Sequence, residues 1–91
     1  MSTTKDRWTV IQTKDVEKVM RRLPANLVRR IDRVFRSLAT DPRPRGCKKL
    51  QGHENLYRIR RGDWRISYAI EDDELIVLVI EVATRGDAYQ F

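Results

Sequence analysis

Residues 56–70 read LYRIRRGDWRISYAI and alternate on both sides of one Gly-Asp pair. Side chains two apart on a strand share a face. Tyr57 and Ile59 therefore fall opposite Arg58 and Arg60, and Trp64, Ile66, Tyr68 and Ile70 fall opposite Arg65, Ser67 and Ala69. Gly62-Asp63, with glycine first, suits a two-residue type II′ turn. Pairing Arg61 with Trp64 then brings Ile59 to Ile66 and Arg60 to Arg65. Core faces and arginine faces agree in that single register, and a slip of one residue would mix them.

Downstream, LIVLVIEVAT (Leu75–Thr84) is apolar on both faces, the pattern of a central strand covered from both sides. Its one charge, Glu81, has the parity of Ala83 and Arg85. Arg65 and Arg85 share a face if the last two strands pair odd residues with odd, Arg65 opposite Glu81 for instance. Upstream, Trp8–Gln12 reads as a short strand. Val16, Val19, Met20 and Leu23 follow the i, i+3, i+4, i+7 spacing of a helix of about three turns, with Thr13 or Asp15 as cap. Pro24 breaks that helix and starts the next, in which Leu27, Ile31, Val34, Phe35 and Leu38 form one face. Arg29, Arg30, Arg33 and Arg36 fall mostly on the other, and Pro42 and Pro44 end the helix near Thr40. The order β-α-α-β-β-β predicts an α+β fold, an antiparallel sheet with a helical hairpin packed on one face.

The chain has 91 residues, sized for a single domain spanning 1–91. Its net charge of +6 favours an anionic partner. Position sharpens this. Arg43, Arg45, Lys48, Lys49, Arg58, Arg60, Arg61 and Arg65 meet only Glu54 and Asp63 in their stretch, while Glu71, Asp72, Asp73 and Glu74 collect in one solvated turn. Such segregation is the electrostatic footprint of a polyanion, and a nucleic-acid backbone is the first candidate. Cys47 and His53 are the only residues of their kinds, which excludes an internal disulfide and argues against a thiol or imidazole metal site. His53, with no partner in the sequence, reads as a surface residue. MSTTKDRW lacks the apolar stretch of a signal peptide, and Leu75–Ile80 is too short to span a bilayer. A cytoplasmic protein without membrane contact is expected.

KKLQGHENLYRIRRGDWRISY followed by VLVIEVATRGDAY closely resembles the signature of the RelE toxins within the RelE/ParE superfamily. The shared pattern is KKL-x-G, a Tyr before an alternating basic pair, G-D-aromatic-R, and a late R-x-x-x-Y, running from Lys48 to Tyr89. The resemblance implies the toxin of a type II toxin–antitoxin system, a ribosome-dependent endoribonuclease (mRNA interferase) that cuts messenger RNA in the A site and so inhibits translation. It implies a cognate antitoxin, the ribosome and mRNA as partners, and operator DNA reached only through the antitoxin. Arg58 and Arg60 match the family's basic pair, and Arg65 the arginine that steadies the scissile phosphate. Arg85 matches the late arginine, Tyr89 the C-terminal tyrosine that can stack on a base, and Lys49 the lysine of the K-L-x-G stretch, a backbone contact; Lys48 and Lys49 together supply general attraction to RNA phosphate. Family members can carry lysine in the basic pair. Arginine stays protonated, so here the pair clamps phosphate and cannot act as base. Glu81 is then the carboxylate candidate for that role.

RNA brings its own nucleophile, the ribose 2′-hydroxyl. An enzyme need only align it with the adjacent phosphorus, stabilise the developing charge and manage two protons. No metal and no cofactor is expected. Two alternatives come from other classes. One is a ParE-like toxin that inhibits DNA gyrase, although such relatives generally lack this arginine and tyrosine set. The other is an inactivated toxin that only binds antitoxin or RNA.

Overall fold

The alternation resolves into seven elements: β1 (Thr9–Gln12), α1 (Lys14–Arg22), α2 (Ala25–Thr40), β2 (Lys48–Lys49), β3 (Leu56–Arg61), β4 (Trp64–Glu71) and β5 (Ile76–Thr84). They come from a computed structural model that describes residues 7–84. The strands form one sheet in the order β1-β5-β4-β3-β2. The α+β class and the helical hairpin on one face stand as expected. The sheet, however, is mixed, because β1 runs parallel to β5 with Thr9 level with Ile76 and Ile11 level with Leu78. The short β2, which pairs antiparallel with β3, is one strand more than the β-α-α-β-β-β order and lies in the basic loop between α2 and β3. It adds one chain reversal between the hairpin and β3. Two residues are too few to show alternation.

The helical hairpin starts and stops where backbone chemistry requires. Thr13 caps α1 by accepting from the Val16 N–H at 3.3 Å. Leu23 is extended, as the residue before a proline prefers, and Pro24 caps α2 from outside the helix. Asp41, also before a proline, is extended and ends α2. The apolar stripes of both helices meet the even face of β4. Val16, Met20, Leu27, Ile31, Phe35 and Leu38 pack with Ile59, Ile66, Tyr68 and Ile70. No described helix is long and apolar enough to cross a membrane.

β3 and β4 pair in the expected register: Arg61 faces Trp64, Arg60 faces Arg65, and Ile59 faces Ile66. Gly62 sits at φ +61°, and Asp63 stays out of the left-handed region, the sign pattern of a type II′ turn. Between β4 and β5 the pairing changes step. Ile66 faces Val82 and Ser67 faces Glu81, but Tyr68 faces Val79, which leaves Ile80 as the extra residue of a β-bulge. Consequently Val77, Val79 and Val82 are all buried, although their spacing breaks strict alternation. Both faces of β5 are apolar as expected, yet only one is covered among the described residues. On the other, Ile11 beside Leu78 is 41% exposed.

Tyr68 ties the sheet to the loop after α2. It is wholly buried and donates to the Pro42 carbonyl at 2.8 Å. Burial pushes its hydroxyl well above the usual tyrosine range and keeps it a donor. Its ring stacks on Tyr57 with centroids 6.2 Å apart. Tyr68→Phe removes that hydrogen bond and leaves the Pro42 carbonyl without this donor. We expect a loss of ~1–2 kcal/mol in urea unfolding, with the slope against denaturant unchanged.

Candidate nucleic-acid interface

The uncovered face of the sheet is laid out by register in rows running across the strands. One row reads Lys48, Arg58, Ser67 and Glu81, from β2 to β5; the next reads Arg60, Arg65 and Ala83. Opposed residues on adjacent strands stand about 4.5–5.5 Å apart at Cβ, so the cations of these rows crowd together. Lys49, opposite Tyr57, takes the other parity and lies on the helix side of the edge. Further along the same uncovered face the character changes: Ala69 faces Leu78, and Leu78 stands level with Ile11. The sheet therefore has a cationic half and an apolar half.

Polar contacts organise the cationic half. Arg58 Nε donates to Ser67 Oγ at 3.4 Å, and Ser67 Oγ donates to Glu81 Oε1 at 2.8 Å. Arg65 Nε approaches the same Oε1 to 3.7 Å, inside ion-pair range but too far for a hydrogen bond. That Nε is buried and has no hydrogen-bond partner among the described residues, while the Arg65 side chain as a whole is 33% exposed. Arg58 is thus held from beneath by a hydrogen bond through Nε, and Arg65 by its ion pair with Glu81. Their terminal nitrogens are the groups suited to a bidentate grip on phosphate oxygens. Arg60 and Arg65 oppose each other as like charges, which costs stability. The bulge at Ile80 matters here too. With unbroken alternation Glu81 would share the core face of Val77 and Val79, whereas the extra residue turns it outward among the arginines.

A second contact fixes the basic loop beside this face. Arg43 makes a two-pronged ion pair with Asp72, its closest approach 2.9 Å, and its Nε donates to Tyr57 Oη at 3.2 Å. The guanidinium also lies 5.2 Å from the centre of the Tyr57 ring. The Asp72 hydrogen bonds and the Tyr57 contact hold Arg43 firmly in its charged form. The solvated acidic turn thereby also anchors the loop that carries Lys48.

The structure brings Arg58, Arg60, Arg65, Glu81 and Lys48 onto one face. Arg85 and Tyr89 lie outside the described residues. The pairing of Ser67 with Glu81 and of Arg65 with Ala83 is the odd-with-odd pairing that an Arg65–Arg85 face requires, with Ala83 rather than Glu81 opposite Arg65. Trp64 and Tyr57 pack against the core, Tyr68 is within it, and His53 is exposed. Sequence reasoning missed Ser67 as a contact and Arg43 as a latch. The available signal for Ser67 was a lone hydroxyl at an outward position between Arg65 and Ala69. A groove of about 270 Å³ lies on the helix side, lined by Trp8, Val10, Phe35 and Ala39 with Asp32 and Arg36, away from Arg58, Arg60 and Arg65.

The chain matches the family model of the ParE toxin of type II toxin–antitoxin systems over residues 7–89. It is 32% identical to the toxin RelE of Mycobacterium tuberculosis over 82 residues, which cover 90% of this chain and 81% of that protein. Among solved structures, the archaeal RelE–RelB complex of Pyrococcus horikoshii contains a chain that superposes with a TM-score of 0.77 at 30% identity, covering 89% of this chain and 98% of that one. The toxin–antitoxin complex RelBE2 of Mycobacterium tuberculosis gives 0.75 at 26% identity, covering 86% and 98%.

The opposed Arg60–Arg65 pair generates a test of its own. Arg60→Thr removes a cross-strand repulsion, so urea unfolding should show a gain of roughly 0.2–1 kcal/mol. The same variant should bind single-stranded RNA more weakly and with a shallower salt dependence, by about 0.7 in the logarithmic slope for one lost phosphate contact. A loss of stability would mean that Arg60 contributes to packing.

Proposed function

We propose that this chain, which belongs to the ParE toxin family of type II toxin–antitoxin systems and is RelE-like within it, arrests translation by cutting messenger RNA in the ribosomal A site. The observation that carries this reading is the register that gathers Arg58, Arg60, Arg65 and Lys48, with Glu81 among them, on one uncovered sheet face. Arginines fixed before substrate arrives supply charge stabilisation without reorganising in the transition state. Arg65 and Arg85 hold the scissile phosphate, and Arg58 and Arg60 grip the neighbouring backbone. Lys48 and Lys49 add general attraction, and Tyr89 stacks on a base. Glu81 accepts the proton of the 2′-hydroxyl, since arginine cannot. The ribosome completes the substrate geometry and so restricts cutting to translated messages.

The partner that restrains it is a cognate antitoxin. The similar chains in the archaeal RelE–RelB and RelBE2 structures were solved as toxin–antitoxin complexes, which supports this assignment. The protein works in the cytoplasm, where ribosomes and messages are.

Primer extension on a translated message after induction tests the reading. We expect codon-phased cuts with the wild type. Arg65→Ala and Arg85→Ala each reduce cutting by about 10²–10³-fold, the usual scale for a lost charge-stabilising donor. Circular dichroism should show both variants folded. Unchanged cutting in both would reject the site assignment. DNA damage without message cleavage would favour a gyrase-directed toxin, and the absence of any toxicity an inactivated one.

A further inference from the structure

Ser67 is buried, at 4% exposure, yet it sits in the middle of the arginine face. Arg58 stands opposite it on one side and Glu81 on the other. A hydroxyl has one proton to give and lone pairs to accept with. Here the proton goes to Glu81 Oε1 and the acceptor side takes the N–H of Arg58 Nε, so the direction of the chain is fixed as Arg58 to Ser67 to Glu81. A small hydroxyl at this point separates a cation and an anion that would otherwise meet across a two-strand gap. Among the described residues Arg58 keeps its terminal nitrogens for a ligand, and Glu81 is held through one oxygen, leaving Oε2 available.

We propose that Ser67 is a positioning residue for the cleavage reaction. Its hydroxyl fixes the Glu81 carboxylate and keeps Arg58 from collapsing onto it as a direct ion pair. This rests on the ribosome-dependent cleavage proposed above and deepens it. Ser67 does not touch the RNA. It acts through the carboxylate that receives the proton and the guanidinium that holds the backbone. An alanine there leaves Oε1 with only the 3.7 Å approach of Arg65 and lets Arg58 and Glu81 neutralise each other. A threonine keeps the hydroxyl on a strand that tolerates β-branching.

The test is single-turnover cleavage of messenger RNA on programmed ribosomes, with toxin titrated to saturation. Ser67→Ala should lower the saturated rate about tenfold and change the half-saturating toxin concentration less than twofold. Ser67→Thr should restore the rate to within threefold of wild type. In a Glu81→Gln background, Ser67→Ala should cause no further loss, because both substitutions remove one unit. Thermal unfolding of each variant monitors the fold. Wild-type cutting with an unchanged saturated rate in Ser67→Ala overturns the role of Ser67 alone. A full additional loss in the Glu81→Gln background overturns its action through Glu81. Wild-type protein that cuts no message overturns the cleavage reading itself, and this role with it.

Discussion

The molecule depends on the strictly two-sided pattern of β4. Its even residues, Trp64, Ile66, Tyr68 and Ile70, face the helices, and its odd residues, Arg65, Ser67 and Ala69, face away. A one-residue slip against β3 would drive Arg65 into a core whose Ile59 and Ile66 are wholly buried. An arginine there, unpaired, would cost several kcal/mol or more. The hydrophobic effect therefore sets not only the core but the position of every cation on the opposite face. Gly62 locks this arrangement at the turn, where its positive φ lets strands of the right twist meet after two residues.

Core and arginine face compete for β5, and the bulge settles the competition. The strand buries Val77, Val79 and Val82 and also turns Glu81 outward, which unbroken alternation does not allow. An extra residue at Ile80 satisfies both demands at the cost of a local break in the ladder. Cross-strand repulsion between Arg60 and Arg65 is a second concession on the same face. Such concessions are the mark of a surface shaped by something other than stability.

What was readable in the chain follows from the range of the forces involved. The β3–β4 hairpin, its turn and its register are local and alternate cleanly, so one pattern determines them. The limits of α2 were readable because Pro24 and Pro42 act on their immediate neighbours. The parallel β1–β5 pairing joins segments at opposite ends of the chain and leaves no local trace. The bulge was hidden for a different reason: in a run as apolar as LIVLVIEV, a shift of face changes no residue from apolar to polar except at Glu81. Ser67 was placed on the arginine face by parity alone. That its hydroxyl connects Arg58 to Glu81 needed the strand order and the side-chain geometry.

The central claim is that arginines on this face stabilise a phosphate attacked by its own ribose oxygen. That chemistry leaves a signature on the product that does not depend on which residue moves which proton. The most direct measurement is therefore the chemistry of the new ends on a message cut by the purified protein on translating ribosomes. The account predicts a 2′,3′-cyclic phosphate, or the 3′-phosphate formed when it opens, on one fragment and a 5′-hydroxyl on the other. A 3′-hydroxyl facing a 5′-phosphate would contradict it, because the attacking oxygen would then have come from water.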